Sequence, residues 1–260
     1  MTDAVNSVYD WQRIEIYTKQ ILGKKAFRDV CVFWQNRPGE QPDPVIRHPV
    51  RLYIINDGSC PGPSPSAGSP VKSVRLCKRA VMPDYPKNTI TGSRKSRITH
   101  RFSLVLLVEY ENGEFKVITL PRQLSAPGFS RGGSAMVFSE LISPGTDNTV
   151  SQNRNDAGLS EKLTLVAEGN ILTAFEYALT FPLSVFEPEI SPIDLENPTL
   201  QSIILLSNLR YEADVVEPYM APAGEGQFVW TTAVDFILYE DITIKLGIEQ
   251  DILVQGLSEG

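Results

Sequence analysis

The sequence predicts a mainly β protein, a sandwich or barrel-like lobe or lobes with one N-terminal amphipathic helix and long loops rich in proline, glycine and serine. Nineteen prolines and eighteen glycines lie among short apolar runs in 260 residues, as expected for strands separated by turns. Hydrophobic residues make up 42% and charged residues 21% of the chain, the range of ordinary globular proteins. We therefore expect a folded protein built mostly from strands.

The single helix is expected over residues 9–22. Apolar and β-branched side chains recur there at spacings of three and four, which is typical of one helical face. Ser7 could cap the start of this helix and Gly23 could end it. The residues that would share the face are Trp11, Ile14, Thr18, Ile21 and Leu22.

Strands are expected through the rest of the chain. Residues 26–34 and 50–56 are short β-branched and aromatic runs with proline and glycine in the stretches between them. Residues 162–181 fit two strands, because large apolar residues fall on one parity and Glu168-Gly169-Asn170 can form a turn. Residues 227–248 show the same alternation.

The clearest local prediction is a β-hairpin within residues 101–121. Two strand-like runs flank Asn112 and Gly113. Both of these residue types adopt positive φ readily, so the pair suits a type I′ turn.

The chain is expected to divide into two lobes. Residues 1–145 would form a β-rich lobe with the helix and an extended basic arm at 58–101, and residues 161–260 an acidic β-rich lobe. The connection at 146–160 is predicted as a linker, because it has a single large apolar residue before Leu159.

Charge is sorted along the chain far more strongly than the net value of −7 indicates. Residues 72–101 carry nine basic residues and one acidic residue, whereas residues 161–260 carry three basic and seventeen acidic residues. The candidate basic interface residues are Lys72, Arg75, Lys78, Arg79, Arg94, Lys95, Arg97 and Arg101. The candidate acidic interface residues are Glu187, Glu189, Asp194, Glu196, Glu212, Asp214 and Glu217.

Two interpretations of the basic segment carry similar weight. The first is a solvated loop and edge strand, where lysine discourages unwanted strand pairing. Alternatively, surfaces of opposite sign favour docking between copies or onto companions. The second interpretation fails if carboxylates of the same chain already neutralise the basic side chains.

No catalytic or metal site is expected from the motifs. Gly128–Gly132 matches G-x-S-x-G, but no histidine follows residue 100, so Ser130 lacks the base that the hydrolase order requires. Three cysteines without a C-x-x-C pair and two histidines do not indicate a zinc site. The acidic stretch 186–196 matches no calcium loop. We predict no enzyme activity, no cofactor and no metal.

These features lead us to expect a structural subunit of a large symmetric assembly, such as a tail, baseplate, neck or capsid-associated component of a virus or bacteriophage particle. The partners would be copies of itself and other subunits, without a membrane or a small-molecule substrate. Residues 1–11 lack a secretion signal, so we expect synthesis in the cytoplasm and a final place in the particle.

Three alternatives stay open. A carbohydrate- or surface-binding β-sandwich would place Trp34, Trp230 or Tyr219 on an exposed face. Nucleic acid could contact the basic segment 72–101 through its phosphates. A hydrolase would need a cleft with perturbed carboxylates, for which Glu187 and Asp194 are candidates.

Overall fold

A computed structural model describes thirteen strands. The described residues are 11–35, 47–56, 68–91, 94–125, 136–139, 148–152, 159–169, 171–186, 190–191, 195, 197, 199–224 and 227–257. A short 3-10 turn, Leu183–Phe186, follows β11. The strands are β1 (Trp11–Phe33), β2 (Val50–Asn56), β3 (Val71–Val81), β4 (Lys87–Thr91), β5 (Lys95–Tyr110), β6 (Phe115–Leu120), β7 (Leu124–Ser125), β8 (Met136–Ser139), β9 (Asn148–Gln152), β10 (Leu159–Glu168), β11 (Ile171–Pro182), β12 (Leu200–Gly224) and β13 (Gln227–Leu257).

The strands form two sheets, which confirms the mainly β, sandwich-like prediction. One sheet has the order β1-β13-β2-β8-β7, with β12 also paired to β13. The other has the order β3-β5-β11-β10-β9, with β4 and β6 also paired to β5. The ladders of this seven-stranded sheet are antiparallel, whereas β7 and β8 pair in parallel.

The predicted N-terminal helix is not confirmed, because residues 11–33 form the long strand β1. The sequence there also contains Ile14, Ile16 and Thr18 at alternate positions. β-Branched side chains favour a strand over a helix, and pairing with β13 supplies the hydrogen bonds that the strand needs. Spacing alone did not distinguish the two structures.

The hairpin of residues 101–121 is confirmed, but its turn differs from the prediction. β5 and β6 pair antiparallel from Leu104 opposite Leu120 to Glu109 opposite Phe115. Gly113 has φ +83° and its N–H donates to the Tyr110 carbonyl at 2.9 Å. Asn112 is not among the residues with positive φ. This is a three-residue connection with glycine in the left-handed position, not a type I′ turn.

The predicted lobes and linker do not match the folded arrangement. β5 pairs with β11, and β2 pairs with β13, so strands from both predicted lobes share each sheet. Part of the predicted linker is β9, which pairs with β10. The chain instead divides into unit 1 (residues 1–25, 186–203 and 244–260) and unit 2 (residues 26–185 and 204–243). Composition did not reveal these long-range pairings.

The core of unit 2 lies between faces of the two sheets. In β5, every even-numbered residue from Ser96 to Tyr110 is buried. Aromatic rings join the sheets: Phe33 of β1 packs edge-on against Phe175 of β11, with ring centroids 4.8 Å apart. Phe33 also contacts Phe236 of β13 at 6.0 Å. The alternation of β5 therefore separates a core face from an outer face.

Unit 1 includes a close approach of backbone to side chain at Gly23. A Cβ atom at this position would lie 2.6 Å from Cδ1 and 2.8 Å from Cγ1 of Ile190, and 3.5 Å from Cδ1 of Phe186. Ile190 is buried, and its N–H donates to the Phe186 carbonyl at 3.1 Å. Glycine is therefore needed here for space.

Candidate functional site

The predicted basic residues occupy β3, the turn before β5 and β5 itself, but they do not share one surface. Lys72, Arg75 and Lys78 are exposed on β3. Arg79 instead points between the sheets, where only 7% of its side chain is exposed. Arg79 is thus removed from the predicted interface, because a bulge between Leu76 and Lys78 changes which residues face outward.

Arg79 forms a buried ion pair with Glu240 of β13. Its two terminal nitrogens donate to the two carboxylate oxygens of Glu240, whose side chain is 1% exposed. Burial raises the pKa of Glu240, although the hydrogen bonds and charge of Arg79 act in the opposite direction. The pair connects the seven-stranded sheet to the six-stranded sheet.

His100 lies beside this pair and is fully buried. Its Nδ1 is 3.9 Å from Oε2 of Glu240, and neither ring nitrogen has a hydrogen-bond partner among the described residues. Burial, together with the charge of Arg79, lowers the pKa of His100 to about 3. The imidazole is therefore neutral at pH 7, packed 5.1 Å from the ring of Tyr177 and 5.6 Å from that of Phe102.

A second buried cluster contains Glu161 of β10. Arg47 and the hydroxyl of Tyr177 both donate to its carboxylate, the hydroxyl at 2.8 Å. The guanidinium of Arg47 also lies 5.9 Å from the ring centre of Trp34. Because Trp34 is 0% exposed, it belongs to the core and offers no face to a carbohydrate.

On the outer face, two carboxylates each serve two of the predicted cations. Glu109 accepts from Lys72 at 2.7 Å and lies 3.6 Å from Arg75. The hydrogen bond from Lys72, followed by one from Ser73, lowers the pKa of Glu109. Because two cations share one carboxylate here, this part of β3 and β5 keeps a net positive charge.

Glu176 of β11 likewise pairs with two cations, further along β5. It accepts from Arg101 at 2.7 Å and lies 3.8 Å from Arg97, and its hydrogen bond raises the pKa of Arg101. Five of the eight predicted basic residues thus pair with carboxylates of their own chain among the described residues. The electrostatic argument for docking is correspondingly weaker than the sequence indicated, and it now depends on the positive excess that remains.

The other three predicted cations are exposed. Lys78 forms no ion pair with a residue that the structure describes. Arg94 has φ 54°, and its carbonyl accepts from the Leu183 N–H at 2.8 Å. Lys95 lies opposite Thr91 of β4 and Pro182 of β11.

The structure brings the cations of β3 next to apolar residues that the sequence analysis did not select. Across β3, β5 and β6, Arg75 lies opposite Leu107, which lies opposite Val117. Directly opposite residues project to the same side of a sheet. We call this surface the β3–β5–β6 face. Its residues are Arg75, Lys78, Val105, Leu107, Glu109, Phe115, Val117 and Thr119.

The β3–β5–β6 face exposes large apolar side chains. Phe115 is 55% and Val117 61% exposed, while Val105 and Leu107 between the two outer strands are partly exposed. The sequence predicted β5 and β6 as the two strands of a hairpin. It did not predict the position of β3 on the other side of β5.

The predicted acidic residues fall in two groups. Glu187, Glu189, Asp194 and Glu196 lie outside the described residues. Glu212, Asp214 and Glu217 are exposed on β12. None of these three forms an ion pair with another described residue, so their charge is not neutralised within that part of the chain.

β12 also exposes large apolar side chains. Those in unit 2 are between 37% and 46% exposed, and β12 has β13 as its single paired neighbour among the described strands. Tyr211 stacks on Phe236 with ring centroids 5.7 Å apart, which anchors the strand to the core. The exposed residues are Leu205, Leu209, Tyr211, Val216, Tyr219 and Met220.

Asp241 of β13 fixes the neighbouring strands through a set of hydrogen bonds. Its carboxylate accepts from the Asp29 N–H at 3.0 Å, from Asn208 at 2.7 Å and from Arg28 at 2.7 Å. These donors, the backbone N–H first, lower the pKa of Asp241 to about 2. Asp29 and Asn208 both have positive φ, 52° and 49°, so the carboxylate holds two irregular positions in β1 and β12.

The described residues contain neither a candidate metal cluster nor a helix suited to crossing a membrane. No group of three or more His, Cys, Asp or Glu residues suited to a metal ion occurs in the described part of the chain. Within the same residues, no helix has the length and apolar character needed to cross a membrane.

A family profile covers nearly the whole chain, from residue 6 to residue 260, and its description is "Domain of unknown function (DUF8305)". The chain belongs to this family. Neither the curated proteins nor the solved structures gave a match. The family membership thus gives no activity, and the function must be argued from the surfaces described above.

Proposed function

We propose that this DUF8305 protein is a non-enzymatic structural subunit that associates with copies of itself in a symmetric assembly. The observation that supports the proposal is β12, a 25-residue strand with one paired neighbour among the described strands and several exposed apolar side chains. A component of a virus or bacteriophage particle is the kind of subunit that we favour, on architectural analogy alone.

An edge strand of this kind favours association. The free side of an edge strand presents unpaired N–H and C=O groups, and proteins usually shorten, charge or cover such edges. β12 is long and combines its charges with six exposed apolar residues of unit 2. Burying the exposed part of each of these side chains is worth roughly 1 kcal/mol. An assembly that covers β12 would therefore remove surface that is costly to leave in water.

Complementary charge is a smaller part of the proposal than the sequence indicated. Glu212, Asp214 and Glu217 remain negative and exposed on β12, and two carboxylates are shared by four cations on the other sheet. Exposed charges steer association and fix its register more than they add affinity. We expect apolar burial to provide most of the affinity.

Nucleic acid is the second candidate partner, because the basic residues of β3 and β5 retain a positive excess. Tyr85, the aromatic residue within the basic segment, lies beneath Lys87 at 4.9 Å and Arg101 at 5.5 Å. Its ring is thus already occupied by two cations rather than open to a base. Phosphate contacts alone would give binding without sequence preference.

The test is the size of the purified protein, measured by light scattering from low to high micromolar concentration. We expect a discrete multimer that becomes smaller in Val216→Asp, which places a charge on the exposed side of β12. Ile171→Asp is the matched control, because Ile171 is 66% exposed at the start of β11, in the other sheet. A protein that stays monomeric at high micromolar concentration would contradict the proposal.

A further inference from the structure

We infer that the β3–β5–β6 face of one copy receives β12 of a second copy in a head-to-tail contact. The inference rests on the proposed function and specifies the two surfaces that meet. The β3–β5–β6 face and residues 204–224 of β12 belong to unit 2, and each copy carries one of each surface.

The β3–β5–β6 face has the chemistry of a docking surface. Phe115 and Val117 project two exposed apolar side chains from β6, and Val105 and Leu107 continue the apolar area onto β5. Arg75 and Lys78 border this area on β3. An apolar centre beside cations suits a partner that offers apolar side chains beside carboxylates.

β12 offers that combination within a few residues. At alternate positions of the strand, which share one face, Val216 and Met220 are exposed apolar side chains, and Glu212 and Asp214 are exposed carboxylates without ion pairs among the described residues. The signs are opposite to those of Arg75 and Lys78. A second copy of this chain therefore provides the complementary surface without any other partner.

Pairing of β12 with β12 of another copy fits the charges less well. An antiparallel contact of this strand with itself would bring Glu212, Asp214 and Glu217 close to the same residues of the second copy. Like charges on directly opposite positions destabilise strand pairs. The head-to-tail contact avoids this repulsion, and contacts of that type close into rings or continue as filaments.

Reversing the charges on each surface separately tests the contact. The face variant carries Arg75→Glu and Lys78→Glu, and the strand variant carries Glu212→Lys and Asp214→Lys. Each variant alone brings like charges together at the contact, so we expect self-association to weaken by about 10- to 100-fold. An equimolar mixture of the two should assemble again, because in alternating copies each contact joins either a reversed face to a reversed strand or a wild-type face to a wild-type strand.

Two controls separate the contact from general effects. Lys24→Glu with Lys25→Glu changes the net charge as much as the face variant does, at two exposed residues of unit 1, and should assemble normally. Lys78→Glu alone breaks no ion pair between described residues, so it tests the face if the double variant fails to fold. Thermal unfolding of each isolated variant reports whether it is folded.

The possible results distinguish this contact from the proposed function. Recovery of assembly in the mixture, but not in either variant alone, supports the contact. A wild-type multimer that neither variant weakens overturns the contact and leaves the proposed function standing. If only the face variant loses assembly, the face binds an acidic partner other than β12. The same holds if the wild type binds a short single-stranded oligonucleotide that the face variant does not bind. Either result overturns the contact. A monomeric wild type overturns both proposals.

Discussion

Replacing Arg79 with methionine removes one member of a buried ion pair. The side chains of Arg79 and Glu240 are 7% and 1% exposed, so water cannot solvate the carboxylate that is left. Breaking a buried pair in this way costs about 3–5 kcal/mol of unfolding free energy. Methionine keeps much of the length and apolar volume of the arginine stem, so the loss reports on charge more than on packing.

The loss in Arg79→Met should depend on pH. Glu240 already has a raised pKa because of burial, and removal of Arg79 raises it further. A carboxyl group whose pKa is higher in the folded than in the unfolded protein contributes its full stability below the unfolded pKa, which is about 4.3 for glutamate. That contribution is lost as pH rises from the unfolded pKa through the folded pKa. The loss at about pH 7.5 should exceed that at about pH 5 by up to about 3 kcal/mol.

The complementary variant and the double variant complete the cycle. Glu240→Leu leaves a buried guanidinium that does not titrate, so its loss of about 3–5 kcal/mol should change less between the two pH values than the loss in Arg79→Met. Combining Arg79→Met with Glu240→Leu removes both charges, and its stability should return to within about 1–2 kcal/mol of the wild type.

Urea unfolding followed by the fluorescence of the tryptophans, among them buried Trp34, measures all four proteins. Arg97→Met is the matched control: its side chain is 49% exposed and lies 3.8 Å from Glu176, so we expect a loss of at most about 1 kcal/mol. Our reasoning would be refuted by a double variant as unstable as the sum of the single variants, or by an Arg79→Met loss that does not change with pH.

Two further substitutions test packing and buried charge. The pKa of His100 is lowered to about 3. As pH falls below about 6.5, the unfolded chain binds a proton at His100 that the folded protein does not, so the free energy of unfolding decreases by about 2–3 kcal/mol by pH 4.5. His100→Phe should therefore resist acid unfolding better than the wild type, and an unchanged acid midpoint would count against a neutral buried imidazole. Gly23→Ala places a Cβ 2.6 Å from Ile190 and should lower the free energy of unfolding by about 1–3 kcal/mol. Adding Ile190→Val should recover part of this loss in thermal unfolding. No loss in Gly23→Ala would contradict the close approach.

Local patterns predicted the elements that depend on neighbouring residues. The hairpin around Gly113 and the pair of strands in residues 162–181 were correctly placed, because alternation and turn residues are encoded within a few positions. The helix predicted at the start of the chain was not confirmed, since Ile14 and Thr18 fit both a helical face and an alternating strand. Pairing of β1 with β13 resolves the ambiguity, and it involves residues more than two hundred positions away.

The candidate surfaces could be predicted only in part for the same reason. The positive charge of residues 72–101 was evident, but not that Arg79 faces Glu240, 161 positions along the chain. Nor did the sequence indicate that Arg75 and Val117 lie on either side of Leu107. Composition counts charges, whereas strand register decides which of them meet.

The sequence by itself determined that this chain forms strands and where several of them turn. The tertiary structure decided which cations stay exposed, which carboxylates neutralise the others, and which apolar residues border them. The physical reason is that side-chain alternation is a local property of a strand, while the surroundings of a charge depend on strands that pair over long separations in sequence.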